Sequence, residues 1–331
     1  MVKRNIMERR FIDVFTAYDG SKVRLPLMIK RSAKSGPKVF LVGVVHGEEV
    51  IGIEVIHRVF ESIKLERGAL FAIPVANMGG FSLGVRTVPY GESADWTNLN
   101  HIFPGKQNGS PAERIAAAIY EAITAEKPDL VIDIHADSHN SIPFILLDRL
   151  VKGKDAKLVK DTENFAEIFG VTFCNDDSPE DYLADDTEKT LSGALFNWAR
   201  LPAFTVELGG PMVVKESFAR IGAAGVKNVL SHLGMISAWR TVKAKSKISA
   251  GHSLRTLTVV APNNSGKIGY KVKAGKEVKK GETIAFLEDV FGRKQEEIKS
   301  PEDGYVISLG YQALAFPGMT IATLAIKDQT P

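Results

Sequence analysis

Two periods of apolar residues alternate along residues 36–240, and they predict the fold class. Short apolar runs rich in β-branched residues are typical of buried strands. The predicted strands are 38–45, 69–76, 130–135, 143–147 and 203–208. Between them, apolar residues recur with helical spacing. The predicted helices begin near Ile53 and cover 111–127, 155–169, 190–200 and 217–236. This alternation predicts an α/β fold with a mixed, mostly parallel sheet flanked by helices.

Cap and turn signals set some of the boundaries. Ser110-Pro111-Ala112-Glu113 is a capping box with proline at the first helical position, and Pro128 ends the same helix. Residues 1–35 have the pattern of short strands and turns, and we assign them to the same domain as an N-terminal β segment. Residues 77–105 form a predicted loop rich in Gly, Asn and Pro, and a loop of this length in a compact domain is usually functional or disordered.

After Arg240 the pattern changes. Residues 241–251 are a polar linker, and residues 252–331 are rich in strand and turn signals without helical spacing. This C-terminal part contains a repeat, in which Gly281–Leu287 matches Gly318–Leu324. Upstream, Ala261-Pro262 with Gly266 matches Ser300-Pro301 with Gly304. We therefore predict a catalytic domain over 1–240, a linker over 241–251 and an all-β domain over 252–331.

The two copies of the repeat predict a small pseudo-symmetric sandwich or barrel. They resemble the halves of a biotinyl/lipoyl-like domain, a barrel-sandwich fold. That family carries its modified lysine in a hairpin between the halves, within a Met-Lys-Met motif or a similar one. Here the segment 290–295 contains Lys294 without those flanks. We expect an unmodified module that packs beside the catalytic cleft and narrows its entrance.

Composition narrows the function classes. The chain has 331 residues, 44% of them hydrophobic and 24% charged, with a net charge of +3, which gives no reason to expect a nucleic-acid partner. Its single cysteine, Cys174, excludes an internal disulfide framework and favours a reducing cytoplasm. We find neither a signal-peptide pattern nor an apolar stretch of ~18 residues, so no membrane partner is expected. The sequence leaves a homo-oligomer open.

Three residues at predicted strand ends point to metal chemistry. His46 and Glu49 follow the strand 38–45, and His135 ends the strand 130–135. In open α/β sheets, ligands bind outside the carboxyl ends of the strands, so both segments are expected at one edge. A His-Glu-His set suits one zinc ion per chain and leaves its fourth position open for water. Asp133, two residues before His135 on the same strand face, is expected to accept the other ring N–H.

Metal-assisted hydrolysis also requires a base for water and a cation for the oxyanion. Glu207 ends the strand 203–208 within TVELGG, and Arg86 lies in the long loop. Asn100 and His101, within NLNHIFPG, add amide and imidazole groups. Taken alone, Glu207 could also be an exposed residue at a turn. Arg86 alone could also be an ordinary surface residue.

The order and spacing of these motifs resemble the succinylglutamate desuccinylase/aspartoacylase family, within the larger group of zinc carboxypeptidases. The resemblance covers roughly residues 36–240, and the β-rich C-terminal domain fits longer members of the family. It implies a zinc-carboxypeptidase-like fold and assigns roles to the matching residues. Zinc binds to His46, Glu49 and His135; Glu207 is the base; Arg86 polarises the scissile carbonyl; Asn77, Asn100 and His101 line the substrate site.

One departure from the family pattern bears on the substrate. The family has Asp-Leu-Asn-Arg where this chain has Asn98-Leu99-Asn100-His101. Histidine cannot reproduce the bidentate fork with which arginine binds a carboxylate. Our leading interpretation is a zinc-dependent deacylase that acts on a small N-acylated amino acid or amine. A carboxypeptidase on short peptides and a non-catalytic zinc-pocket binding protein are the alternatives.

Overall fold

The computed structural model describes residues 7–89, 97–151, 153–237, 239–261 and 263–329. Parts of three sequence predictions lie outside this range: residues 1–6 of the N-terminal segment, residues 90–96 of the long loop, and Pro262 of the repeat. Strands of the N-terminal two-thirds are β1 (Met7–Thr16), β2 (Lys22–Arg31), β3 (Lys38–Gly43), β4 (Ala69–Ile73), β5 (Leu130–His135), β6 (Asn140–Ser141), β7 (Phe144–Leu147), β8 (Thr172–Asn175) and β9 (Ala203–Glu207).

Helices separate most of these strands. They are α1 (Ile51–Ser62), α2 (Met78–Leu83), α3 (Pro111–Glu126), α4 (Ala156–Phe169), α5 (Pro179–Ala184), α6 (Leu191–Asn197) and α7 (Glu216–His232), with 3₁₀ turns at Leu99–His101 and Thr187–Lys189. The C-terminal strands are β10 (Leu254–Val260), β11 (Gly266–Tyr270), β12 (Glu277–Val278), β13 (Thr283–Glu288), β14 (Lys294–Lys299), β15 (Gly304–Leu309), β16 (Leu314–Ala315) and β17 (Thr320–Lys327).

The central sheet confirms the predicted mixed α/β architecture. Its strands follow the order β1-β2-β4-β3-β5-β9-β7-β8 and continue into the C-terminal strands as β10-β17-β15-β12. The inner pairs β4–β3, β3–β5 and β5–β9 are parallel, whereas β7 runs antiparallel to β9. One apolar core packs α1, α4 and α7 on one face of the sheet, and a second packs α3 and α6 on the other.

Element boundaries follow their local signals. The capping box of α3 is present: the Ser110 side chain accepts from the Glu113 N–H, and the Glu113 side chain accepts from the Ser110 N–H. β3 ends two residues earlier than predicted, because Val44 adopts a left-handed conformation with φ +57°. The predicted loop 77–105 contains the short helix α2, which the sequence analysis missed.

The predicted linker lies against the catalytic part of the chain. Its described residues form neither helix nor strand, yet several are hydrogen-bonded. The Ala244 N–H donates to the Gly170 carbonyl at 2.9 Å, and the Ile248 N–H donates to the Thr172 hydroxyl at 2.9 Å. β10 then pairs with β8 through Arg255 and Asn175, so the sheet continues across the boundary predicted from the sequence.

The repeat appears as two equivalent sets of strands. A four-stranded antiparallel sheet has the order β14-β13-β11-β16, and its partner has the order β10-β17-β15-β12. Exchanging β10, β11, β12 and β13 for β14, β15, β16 and β17 converts one order into the other. Gly281 and Gly318, with φ of +82° and +80°, make the same turn before the two matching strands. An additional antiparallel sheet therefore closes the C-terminal part over its own core.

This C-terminal β module, residues 254–327, contacts the loop that follows β5. β6 pairs with β15 through Ser141 and Ser308, and the Ser138 hydroxyl donates to the Leu309 carbonyl at 2.5 Å. The module therefore packs beside the strand end that carries His135. Across the described part of the chain, no helix combines the length and apolar character needed to cross a membrane.

Candidate metal site

The turn after β3 carries His46 and Glu49. The Glu49 N–H donates to the His46 carbonyl at 3.1 Å, which folds the two side chains toward one point. α1 begins only at Ile51, so both residues lie in this turn rather than within the helix. Gly47 permits close packing here, because a Cβ atom would lie 2.1 Å from the backbone of Gly80. That contact brings the segment containing α2 against the turn.

His135, at the end of β5, completes a compact group. His46 Nδ1 lies 2.8 Å from Glu49 Oε1, and His135 Nδ1 lies 2.9 Å from Glu49 Oε2. All three side chains are buried, and their potential ligand atoms lie within 4.8 Å of one another. Two imidazoles and one carboxylate are ligand types that zinc accepts. The donor set therefore fits a metal ion held at this point.

The outer ring nitrogens of both histidines also have partners. His135 Nε2 lies 2.9 Å from Asp133 Oδ2, which confirms the contact expected from the sequence. His46 Nε2 lies 3.2 Å from Asn98 Oδ1, a contact the sequence analysis missed. A histidine that donates its Nε2 proton outward presents an unprotonated Nδ1 inward, which is the state a metal ligand needs.

The electrostatics of the group favour a positive charge at its centre. Burial raises the pKa of Glu49, but His46 and His135 outweigh it and hold that pKa well below its usual value. Burial lowers the pKa of His135, yet Asp133 and Glu49 raise it well above its usual value. Burial also lowers the pKa of His46, more than Glu49 raises it. These carboxylates therefore attract a cation to the point where the ligand atoms converge.

Glu207 lies beside this group. It ends β9, where it pairs in register with His135 on β5. Its Oε2 atom is buried and has no hydrogen-bond partner among the described residues. Burial raises the pKa of Glu207 well above its usual value, and the attraction of His135 opposes this. A buried carboxylate oxygen without a partner is costly and calls for an explanation, such as a ligand or a catalytic role.

Arg86 reaches the same point from the segment after α2. Its Nη1 lies 2.9 Å from Glu49 Oε1, while 49% of the side chain remains exposed. The Arg86 carbonyl accepts from the Asn77 side-chain amide at 3.4 Å, and Asn77 Oδ1 accepts from the Gly80 N–H at 2.8 Å. Asn77 is fully buried, caps α2 and does not line the cavity described below. These contacts hold the segment that carries Arg86, and the contact of Asn77 with substrate stays a prediction.

Asn100 and His101 lie at the cavity, as their predicted role requires. Asn100 is buried, and its Oδ1 accepts from the Leu191 N–H at 2.8 Å, which leaves its amide N–H groups for another partner. His101 is more exposed, and partial burial together with the nearby Arg86 charge lowers its pKa.

A cavity of about 280 Å³ connects these residues. Its lining, as far as the structure describes it, comes from residues 46–207 and includes polar residues that the sequence analysis missed, namely Asp148, Asp176, Thr187, Thr190, Ser192 and Thr205. Asp148 directly follows a predicted strand, and strand ends were the signal that located His135. Asp176 follows β8, which was not predicted.

Similarity to known proteins identifies the family of the chain. Residues 35–233 match the model of the succinylglutamate desuccinylase/aspartoacylase catalytic domain. The N-alpha-acetyl-L-2,4-diaminobutyric acid deacetylase of Halomonas elongata is 26% identical over 309 residues, which cover 92% of this chain and 86% of that protein.

Two solved structures show the fold. The product-bound ectoine utilization protein EutE (DoeB) from Ruegeria pomeroyi has a TM-score of 0.82 at 22% identity, covering 99% of this chain and 97% of that one. A metallo-carboxypeptidase from Burkholderia cenocepacia has a TM-score of 0.53 at 18% identity, covering 68% of this chain and 65% of that one. Because the family model spans more than half of the sequence, the chain belongs to the succinylglutamate desuccinylase/aspartoacylase family.

Proposed function

We propose that this protein is a zinc-dependent deacylase that hydrolyses the amide bond of a small N-acylated amino acid or amine. One zinc ion per chain is held by His46, Glu49 and His135. The observation that carries the proposal is the position of Glu207, whose unpartnered Oε2 lies beside the converging ligand atoms. A site that only binds metal has no need of a second buried carboxylate there.

The residues divide the reaction between them. Zinc, when bound, supplies a Lewis acid that polarises the scissile carbonyl and makes water a better nucleophile. Glu207 takes a proton from that water as its oxygen adds to the acyl carbon. Arg86 donates hydrogen bonds to the oxyanion that forms. Glu207 then gives the proton to the amide nitrogen as the C–N bond breaks, which yields a carboxylic acid and an amine.

The size of the cavity and the comparisons support a small substrate. A cavity of about 280 Å³ suits a small molecule. The Halomonas relative is named for removing an acetyl group from an acylated amino acid, which makes N-acyl amino acids the first compounds to test. The metallo-carboxypeptidase is similar in fold only. Because of that similarity, short peptides are the alternative substrate class.

The decisive experiment combines metal analysis with a substrate screen. The purified protein should contain one equivalent of zinc and should release amine from N-acyl amino acids faster than from dipeptides. Glu207→Gln should keep the zinc and lose about 10²–10⁴-fold in kcat, because Gln cannot carry the proton. Glu61→Gln, on the exposed face of α1, is the matched control and should retain activity. A loss below tenfold in Glu207→Gln would remove Glu207 as the base.

We further propose that the C-terminal β module is an unmodified barrel-sandwich domain of the biotinyl/lipoyl-like type. The exchange symmetry of its two sheets supports this. The tip of the hairpin before β14 is exposed, with Val290 at 94% and Phe291 at 78%. Lys294 forms an ion pair with Glu297. The intact mass should equal that of the bare sequence, and a biotinyl or lipoyl addition would contradict the proposal.

A further inference from the structure

The cavity lining includes, besides the metal ligands, Thr205 of β9, Leu146 of β7 and two aspartates. Leu147 of β7 and Asn175 of β8 are paired in register, and these strands are parallel. Asp148 and Asp176 are the next residues of the two strands, so their main chains leave the sheet side by side. Both residues line the cavity. Two carboxyl groups are therefore placed together at the end of the cavity opposite the metal.

Neither carboxyl group forms an ion pair with a described residue, and the charge of Arg149 only partly offsets the burial of Asp176. Asp148 Oδ1 accepts from the Tyr182 hydroxyl at 2.8 Å, but its Oδ2 is buried and has no hydrogen-bond partner among the described residues. Asp176 Oδ1 has a long contact of 3.4 Å with the Thr256 hydroxyl. Burial raises the pKa of Asp148 to about 7 and that of Asp176 to about 6.

Arg149 lies close enough to lower the pKa of Asp176 in part, but it makes its hydrogen bonds to other groups. Arg149 donates from Nε to the Asp176 carbonyl rather than to its carboxylate, and its Nη1 pairs with Asp328 at 2.8 Å. Arg86 is the one Lys or Arg among the described residues that line the cavity, and it contacts Glu49 at the other end. A positively charged group from outside the protein would complete the pair.

We propose that Asp148 and Asp176 bind a protonated amino group of the substrate, so that the preferred substrates are acylated diamino compounds. This inference rests on the proposed deacylase function, because it assumes that the substrate is cleaved in the same cavity that contains the two aspartates. Cleavage takes place at Glu207 and the metal ligands, and the ammonium group lies at the aspartates. A buried carboxylate gains most from a cation that brings its own hydrogen-bond donors.

The sheet register sets the length of such a substrate. Glu207 pairs with Phe144, and Asp148 lies four residues further along the same chain. Four strand residues span roughly 13 Å. The amino group is therefore expected several bonds from the scissile carbonyl, at the end of the amino-acid side chain.

The first test measures binding without turnover. Zinc-loaded Glu207→Gln protein is titrated calorimetrically with 2,4-diaminobutyrate, ornithine and lysine, and with neutral analogues in which a hydroxyl replaces the terminal amine. At least one diamine should bind more than tenfold more tightly than its neutral analogue. Adding Asp148→Asn should weaken the binding of that diamine about 10- to 100-fold and leave the affinity for the neutral analogue nearly unchanged.

Two further variants distinguish the effect of the Asp148 charge from a general effect on folding. Tyr182→Phe removes the hydrogen bond to Asp148 but keeps the carboxylate, so the preference for the diamine should remain. Asp161→Asn, on α4 and ion-paired with Lys157 at the surface, is the matched control. Zinc content and melting temperature are measured for each variant. If a folded, zinc-loaded Asp148→Asn protein still prefers the diamine, or if no diamine is preferred, the inference is overturned.

The outcomes also distinguish this inference from the proposed function. Diamine binding that depends on Asp148, without turnover of any acylated compound, would support the subsite and contradict the deacylase. Turnover of acylated amino acids with equal kcat/KM for cationic and neutral side chains would support the deacylase and overturn the subsite.

Discussion

The two ends of the cavity handle buried charge in opposite ways. At the metal end, the three ligand side chains are compensated, because both oxygens of Glu49 contact histidines and both outer histidine nitrogens contact Asp133 or Asn98. Glu207, beside these ligands, keeps one buried oxygen without a partner among the described residues. At the acidic end, two carboxyl groups lie side by side, and one of their oxygens is buried without a partner. A set of compensated charges holds its geometry in advance, whereas an uncompensated set gains free energy when a ligand arrives. Substitutions at the metal end are therefore expected to weaken zinc binding. Substitutions at the acidic end are expected to raise the free energy of unfolding.

The largest effect is expected at the metal end. His46→Ala and His135→Ala each delete one of three converging ligands, so both variants should lose most of their zinc during purification. Elemental analysis measures this directly. His57→Ala, on the exposed face of α1, is the control and should keep its metal. Full zinc occupancy in either site variant would show that the ion binds elsewhere.

A smaller effect at the same end follows from the contact between Asp133 and His135. Asp133→Asn keeps the shape of the side chain but removes the charge that supports the outer ring N–H of His135. Zinc affinity, measured by competition with a chelator, should fall about 10- to 100-fold. Asp161→Asn should leave the affinity unchanged. If Asp133→Asn binds zinc as tightly as the wild type, the contact between Asp133 and His135 does not support metal binding.

The contrast between the two ends also explains what the sequence could predict. His46 follows a strand, and His135 and Glu207 are the last residues of two others. The apolar runs of these strands are visible in the sequence, and parallel strands place their ends at one edge. The acidic end depends on the register of β7, which runs antiparallel to β9 and carries Asp148 away from Glu207. No local pattern reveals that direction. The pairing of β10 with β8 is equally hidden, because one residue pair from distant segments makes it.

At the acidic end, substitution should stabilise the protein, and the gain should depend on pH. Burial, with smaller contributions from Asp176 and Asp133, raises the pKa of Asp148 to about 7. An unfolded chain releases this proton near its ordinary pKa of about 3.9. Between these values the folded state binds more protons, so the contribution of Asp148 to stability falls as pH rises from about 4 to about 7.

Asp148→Asn removes this dependence. Its free energy of unfolding should exceed that of the wild type by an amount that grows through that window and reaches the order of a few kcal/mol above pH 7. Chemical denaturation at pH 5, 6, 7 and 8 measures the difference. Asp161→Asn should show no comparable trend. If Asp148→Asn is less stable than the wild type at pH 8, the carboxylate is compensated in the folded protein and the contrast between the two ends fails.

The smallest expected effect concerns His101, which also lines the cavity. His101 stands where the family has an arginine, and an imidazole offers no fork to a carboxylate. The wild type should therefore discriminate weakly between N-acyl amino acids and their C-terminal amides. His101→Arg should raise the preference for the free acid, by kcat/KM, about tenfold, because a bidentate charged pair forms. His57→Arg adds the same charge away from the cavity and should change nothing. A wild type that already strongly prefers the free acid, with no gain in His101→Arg, would place carboxylate recognition on another residue, and Asn100, which lines the same cavity, would be the next to test.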